Sequence, residues 1–199
     1  MEKQIIISVS REYGSAGHEI AEHVAKELGL NFYDRNMLDE IAKEKNVNIE
    51  HLEKYDERPK KILGSRKVGE HTNSMEEIIA EWQFDYLRKK ADTGESFVIV
   101  GRCAETVLKD REGLITIFVL GNEETKIKRI MEKYNLNKTD AVAKIKRHDK
   151  NRKQYHNNHS IGKWGDARSY DMCINSSKIG NEKTAAVIRD YIQEIIKNN

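Results

Sequence analysis

Apolar residues gather into three short continuous runs: Ile5-Ile6-Ile7-Ser8-Val9, Phe97-Val98-Ile99-Val100 and Leu114 to Leu120. Runs that do not alternate with polar residues predict strands buried on both faces, as in a parallel sheet. Asn31-Phe32-Tyr33 and Met172-Cys173-Ile174 predict two further strands. Helical spacing fills the stretches between. Ile20, Ala21, Val24, Ala25 and Leu28 share one face, and Gly29 follows as a C-terminal stop. Ile127, Ile130, Met131 and Tyr134 repeat the pattern, as do Ile188, Tyr191, Ile192 and Ile195. Ser74-Met75-Glu76-Glu77 reads as a capping box that opens a helix running to Asp92. On that helix Ile78, Ile79, Trp82 and Tyr86 are read as core rather than as a dimer surface. Strand–helix alternation predicts an α/β fold with right-handed crossovers.

Composition narrows the class. A chain of 199 residues suits one domain. Its single proline, Pro59, compares with about ten in an average chain of this length, which favours long uninterrupted helices. Thirty-five basic and 33 acidic residues leave a net charge of +2, which argues against wholesale nucleic-acid coating. No stretch approaches the roughly 20 apolar residues of a membrane helix, and the N-terminal run is too short for a secretory core. A cytoplasmic chain with no membrane partner is expected. Cys103 and Cys173 lack metal or redox spacing, and each lies beside an apolar run, so both are expected as buried thiols. Asp56 to Thr72 holds the only proline, two glycines and Arg58, Lys60, Lys61, Arg66 and Lys67. It reads as a solvated loop or as a flap over a substrate. Oligomeric state is left open.

In an open parallel sheet, ligands bind beyond the carboxyl ends of the strands. After the first strand come Ser10-Arg11-Glu12-Tyr13-Gly14-Ser15-Ala16-Gly17-His18-Glu19 and then a helix. Small residues there let backbone N–H groups converge at a helix N-terminus, which suits phosphate, although a simple tight turn has the same composition. The Walker pattern would require Gly-Lys-Ser/Thr, where this chain has Gly17-His18-Glu19. Tyr33-Asp34-Arg35 and Gly101-Arg102-Cys103 follow the next two strands. Each offers an arginine for bidentate grip on an anion, unless it is a plain surface residue.

Lys138 to His156 carries a stripe, Val142, Ile145, Asp149, Arg152 and His156, that turns from apolar to polar. With Lys144, Lys146, Arg147, Lys150 and Lys153 around it, the segment is expected to leave the core, as a basic lid or as a solvated helix end. The loop Ile161-Gly162-Lys163-Trp164-Gly165-Asp166 after it is expected to be mobile.

These segments in order, with FVIVGRCAETVL, ITIFVLGNEETKIKRIM, IKRHDKNRKQYH and YDMCINSSKIG, resemble the nucleoside-monophosphate kinases and most closely the cytidylate kinase-like family. The resemblance implies a three-layer P-loop kinase-type fold, α/β with a five-stranded parallel sheet, in one domain spanning 1–199. Its core would be about 1–45 and 93–199, with a helical acceptor-binding insertion at about 46–92 and a basic lid at about 138–169. It implies ATP and magnesium as cofactors and transfer of the γ-phosphate to a small acceptor, a nucleoside monophosphate such as CMP. Gly14, Ser15, Ala16, Gly17, His18 and Glu19 would surround the donor phosphates. Asp34, Arg35 and Arg102 would face the acceptor, Arg147 and Arg152 would belong to the lid, and Asn175-Ser176-Ser177 would lie near the donor base.

Departures from the family pattern define further expectations. His18, Glu19 and Ile20 stand where a typical cytidylate kinase has Lys, a small residue and Ser or Thr. Val100-Gly101-Arg102-Cys103 lacks the two aspartates of Asp-Gly-Arg-Asp. Arg11 is the candidate replacement for the lysine charge, which makes Arg11, Arg102, Arg147 and Arg152 the candidate catalytic groups. Glu12 or Glu19 is the candidate for positioning magnesium. A catalytically silent nucleotide-binding regulator on the same scaffold is the alternative. A nucleic-acid module built on Lys138–Lys153 is disfavoured by the charge balance.

Overall fold

The computed structural model describes residues 3–56, the backbone of 67–68 and 71–72, and residues 74–198. Five parallel strands form the central sheet: β1 (Ile6–Arg11), β2 (Asn31–Tyr33), β3 (Phe97–Val100), β4 (Leu114–Leu120) and β5 (Met172–Asn175). Their order is β2-β3-β1-β4-β5, so β1 lies between β3 and β4, and the chain crosses to opposite sides of it. Ligands gather at such a switch point, beyond the carboxyl end of the strand.

The continuous apolar runs are strands because both of their faces are covered. Ile6, Phe97 and Ile99 pack with α2 (Met37–Lys45), α3 (Ile49–Tyr55) and α4 (Met75–Asp92). Ile7, Val9, Val98 and Val100 pack on the other side with α1 (Gly17–Leu28) and α8 (Asn181–Asn198). Gly29 closes α1 in a left-handed conformation, as expected of a helix stop. Helix α4 begins after Ser74, whose hydroxyl bonds the Glu76 carboxylate at 2.8 Å rather than capping a helix amide. Ile79 and Tyr86 are buried and Trp82 is partly so, which makes this face core.

The short helix α5 (Ala104–Val107) follows β3, and β4 leads into α6 (Glu123–Tyr134) and α7 (Lys138–His159). Along the α7 stripe Ile145 and His156 are buried, while Asp149 and Arg152 between them are half-buried. His156 is buried with its Nε2 2.8 Å from the Glu105 carboxylate, and Tyr155 packs on Ala80, Phe84 and Cys103. Charge stays on this face because polar partners await it. The following loop is anchored as well: the Trp164 ring lies edge-on to Phe118, 5.3 Å between centroids.

Cys103 is buried, but Cys173 is exposed. It lies on edge strand β5, where Met172 and Ile174 on the alternate face take the core side. The side chains of Arg58, Pro59, Lys60, Lys61, Arg66 and Lys67 fall outside the described residues. Among the described residues, no helix is long and apolar enough to cross a membrane.

Candidate active site

The segment from Arg11 to Gly17 turns sharply out of β1 into α1. Gly14 has φ +85° and Ala16 has φ 62°, both left-handed, and a side chain on Gly14 would press on Lys126 and Ile130 at 3.2 Å. Internal bonds hold the turn. The buried Ser15 hydroxyl donates to the Glu12 carbonyl at 2.9 Å, and the Ser176 hydroxyl donates to the Ser15 carbonyl at 2.6 Å. Thus Asn175-Ser176-Ser177 packs directly behind the loop, and in the first turn of α1 the Gly17 N–H donates to the Ser15 hydroxyl at 3.3 Å and the Glu19 N–H to its own carboxylate.

Arg11 sits beside Gly17. A β-carbon on Gly17 would lie 2.5 Å from Cβ of Arg11, closer than real β-carbons approach, and 3.2 Å from its Cγ. The loop therefore has space for one side chain at this point, and Arg11 fills it from the end of β1.

Helix α7 docks on the same loop. The Asp149 carboxylate accepts the Tyr13 N–H at 2.7 Å, and the Arg152 guanidinium donates to the Arg11 carbonyl at 3.3 Å. Tyr13 stacks on His148 with centroids 4.1 Å apart, and Arg152 lies over its ring at 5.4 Å. From α6, Lys126 reaches the Glu12 carboxylate at 2.9 Å and Asp149 at 3.9 Å, while the Gly121 N–H also donates to Glu12. Burial pushes the Asp149 pKa up, although the Tyr13 N–H, Lys126 and Arg152 pull against it. Glu19 pairs with Lys133 at 3.1 Å. Burial works upward on its carboxyl, but its own backbone N–H and the Lys133 ammonium outweigh it and hold the pKa below the usual value.

An open cleft of about 260 Å³ results. Arg11, Gly14, Ala16, Gly17, His18, Glu19 and Arg152 line it together with Glu12, Arg129 and Lys133. Arg147 is exposed on α7 and does not line the cleft, although its charge acts on Tyr13.

Asp34, Arg35 and Arg102 lie at the ends of β2 and β3. The His18 ring contacts Asp34 at 2.6 Å and stands edge-on to Phe32, which links the loop to this second group. That hydrogen bond is the main reason the Asp34 carboxyl titrates below its usual range. Arg102 is buried and bonds Asp56 at 2.8 Å, while Arg35 pairs with Glu53 at 3.3 Å. Gly101, Arg102 and Cys103 are three consecutive left-handed residues, at φ 78°, 60° and 51°. The two non-glycine ones cost about 1 kcal/mol or more each, strain of the kind that accumulates where a side chain must be aimed.

The sequence pattern of the cytidylate kinase-like family matches residues 6–178. The chain belongs to this family. It is 26% identical over 194 residues to the cytidylate kinase of Pyrococcus horikoshii, covering 96% of this chain and 90% of that protein. The cytidylate kinase of Pyrococcus abyssi is 25% identical over 193 residues, covering 96% and 95%. Among solved structures, an uncharacterized protein from Eubacterium ventriosum is 37% identical with a TM-score of 0.75, covering 96% of this chain and 99% of that one. Shikimate kinase from Bacteroides thetaiotaomicron, 12% identical with a TM-score of 0.56 and coverage of 95% and 98%, shares the P-loop kinase fold.

In this cytidylate kinase-like chain, sequence reasoning missed Lys126, Arg129 and Lys133. They stand at i, i+3 and i+7, so they form one basic stripe along α6, interleaved with the apolar pattern that was read there. Arg129 also bonds the Gly14 carbonyl and, at 3.0 Å, Asn181. A nucleotide polyphosphate fits these groups: left-handed turns and several cations around one cleft. For magnesium the nearby carboxylates are Glu12 and Glu19, each already engaged by a lysine. Among the described residues, no three His, Cys, Asp or Glu side chains form a metal cluster. Magnesium commonly takes only one or two carboxylates and completes its shell with phosphate and water, so this donor set fits an ion that arrives with the nucleotide.

Proposed function

We propose that this chain moves the γ-phosphoryl group of ATP to a small acceptor, a nucleoside monophosphate such as CMP. The observation that carries the reading is the convergence of Arg11, Arg129, Lys133 and Arg152 on the cleft at the N-terminus of α1. Phosphoryl transfer needs little covalent work from a protein and depends on positioning and charge stabilisation. In this reading the loop together with Arg129 and Lys133 of α6 holds the donor phosphates. Arg11 supplies the charge that a loop lysine would bring, and Arg152, held against Tyr13, fixes the helix over the loop. Asp34, Arg35 and Arg102 orient the acceptor. Magnesium, arriving with ATP and near Glu12 or Glu19, would neutralise charge on the phosphates.

The test is coupled ADP release with a panel of nucleoside monophosphates. Turnover with CMP supports the reading, and ATP binding without turnover on any acceptor overturns it. The pairing of Glu12 and Glu19 with lysines favours a second reading, a nucleotide-binding regulator without catalysis. Calorimetry separates the two: ATP binding that is indifferent to magnesium, with no turnover, supports the regulator.

A further inference from the structure

The two arginines on the acceptor side already hold anions. Arg102 is 3% exposed, and its terminal nitrogen bonds Asp56 Oδ2 at 2.8 Å. Asp56, at the end of α3, has only 10% of its side chain exposed. The Arg35 Nε approaches the same oxygen at 3.9 Å, and the other end of Arg35 meets Glu53 at 3.3 Å. Asp56 Oδ1 accepts from the Gln83 carboxamide at 2.9 Å. Gln83 is 1% exposed, and its Oε1 has no hydrogen-bond partner among the described residues. The Asp56 carboxylate is therefore shared by Arg102, Arg35 and Gln83, with the Asp34 carboxylate also acting on Arg102.

We propose that Asp56 is a specificity-determining residue of the acceptor side, occupying Arg102 and Arg35 until a dianionic phosphate replaces it. This rests on the reading that a phosphorylated acceptor binds at these arginines. A phosphate brings more charge than a carboxylate and a third oxygen, so exchange at a guanidinium favours it. A monoanionic or neutral group gains nothing by the exchange and is turned away. Selectivity then comes from a built-in competitor rather than from an added contact.

The experiment compares the full chain with Asp56→Asn, which keeps the shape and removes the charge. Calorimetric titrations use inorganic phosphate and CMP, and the coupled assay follows turnover of CMP. The asparagine variant is expected to bind both anions about tenfold more tightly, with a lower KM for CMP and kcat within about twofold. Equal or weaker anion binding by a folded variant overturns the proposal and makes Asp56 a structural partner of Arg102 or a direct acceptor contact. Should that variant fail to fold, the wild-type chain supplies the readout through NMR of the Gln83 side-chain amide. Its resonances are expected to shift when phosphate or CMP displaces Asp56, and unchanged resonances at saturation overturn the proposal. The two readings fail separately. Tighter phosphate binding by Asp56→Asn without turnover of CMP removes the acceptor assignment and keeps the competitor. Turnover of CMP with unaltered anion binding in the variant does the reverse.

Discussion

Arg11 and Gly17 share one space at the mouth of the loop, because a β-carbon on Gly17 would lie 2.5 Å from that of Arg11. An arginine at the end of β1 thus goes with the absence of a side chain at the start of α1. Gly17→Ala is expected to force the end of β1 and the start of α1 apart and weaken ATP binding about tenfold or more, read by calorimetry. Arg11→Ala should lower kcat/KM by at least about tenfold while leaving the fold intact. The double change Arg11→Gly with Gly17→Lys fills the same space from the other side, and partial recovery relative to Arg11→Ala is expected. No recovery would show that the arginine is needed for its reach rather than its charge.

Lys126 is buried between two carboxylates, Glu12 at 2.9 Å and Asp149 at 3.9 Å. It ties the loop, α6 and α7 together from below. Lys126→Met leaves those carboxylates facing each other without the cation, and breaking such a pair is costly because the partners stay desolvated. A loss of about 2–3 kcal/mol in urea unfolding is expected, given that the carboxylates are partly solvated. Lys126→Arg should recover most of it. Stability unchanged in the methionine variant would mean that the three groups are not coupled.

The sheet was legible because three runs are apolar without alternation, and burial on both faces favours that pattern; Ile6, Ile7, Phe97 and Ile99 are the residues that show it. Cys173 was misread for a local reason. A run beside an edge strand alternates, and sequence alone does not say which strands form the edge. The glycines and serine of the loop were visible as a turn, but the contribution of α6 was not. Ile127 and Ile130 stand beside Lys126 and Arg129 on that helix, and the apolar pattern dominated. Asp149, Arg152 and His156 look solvated by spacing. The burial of His156 and the partial burial of the other two depend on Glu105, the Tyr13 N–H and the Arg11 carbonyl, partners distant in the chain.

Arg129 and Lys133 are expected to act on the donor rather than on the acceptor, since both line the loop cleft and neither is among the partners of Arg35 and Arg102. Arg129→Ala should raise KM for ATP by about fivefold to tenfold with little change in KM for the acceptor. Lys133→Ala should have a smaller effect, because this lysine is half-exposed and pairs with Glu19. Added salt should narrow the difference between Lys133→Ala and wild type more than that for Arg129→Ala, since screening acts chiefly on exposed charge. Initial-rate measurements over both substrates check this, and a change confined to the acceptor KM would reassign Arg129.

His18 and Asp34 give the fold a definite acid limb. The His18 hydrogen bond holds Asp34 below its ordinary value of 3.8, with smaller help from the Asn36 N–H and Arg102. A carboxyl depressed in the folded state adds stability that is present above its unfolded value and lost as pH falls through the lower folded value. Asp149, raised by burial, works in the opposite sense: its contribution is present below 3.8 and is lost as pH rises through its higher folded value. Thermal melts from about pH 7 down to about pH 3 separate the two. The Asp34→Asn variant is expected to melt below wild type near neutral pH and to converge on it in acid. The Asp149→Asn variant is expected to gain on wild type as pH rises from acid. Parallel curves for Asp34→Asn and wild type across the whole range would show that His18 contributes nothing through its contact with that carboxylate.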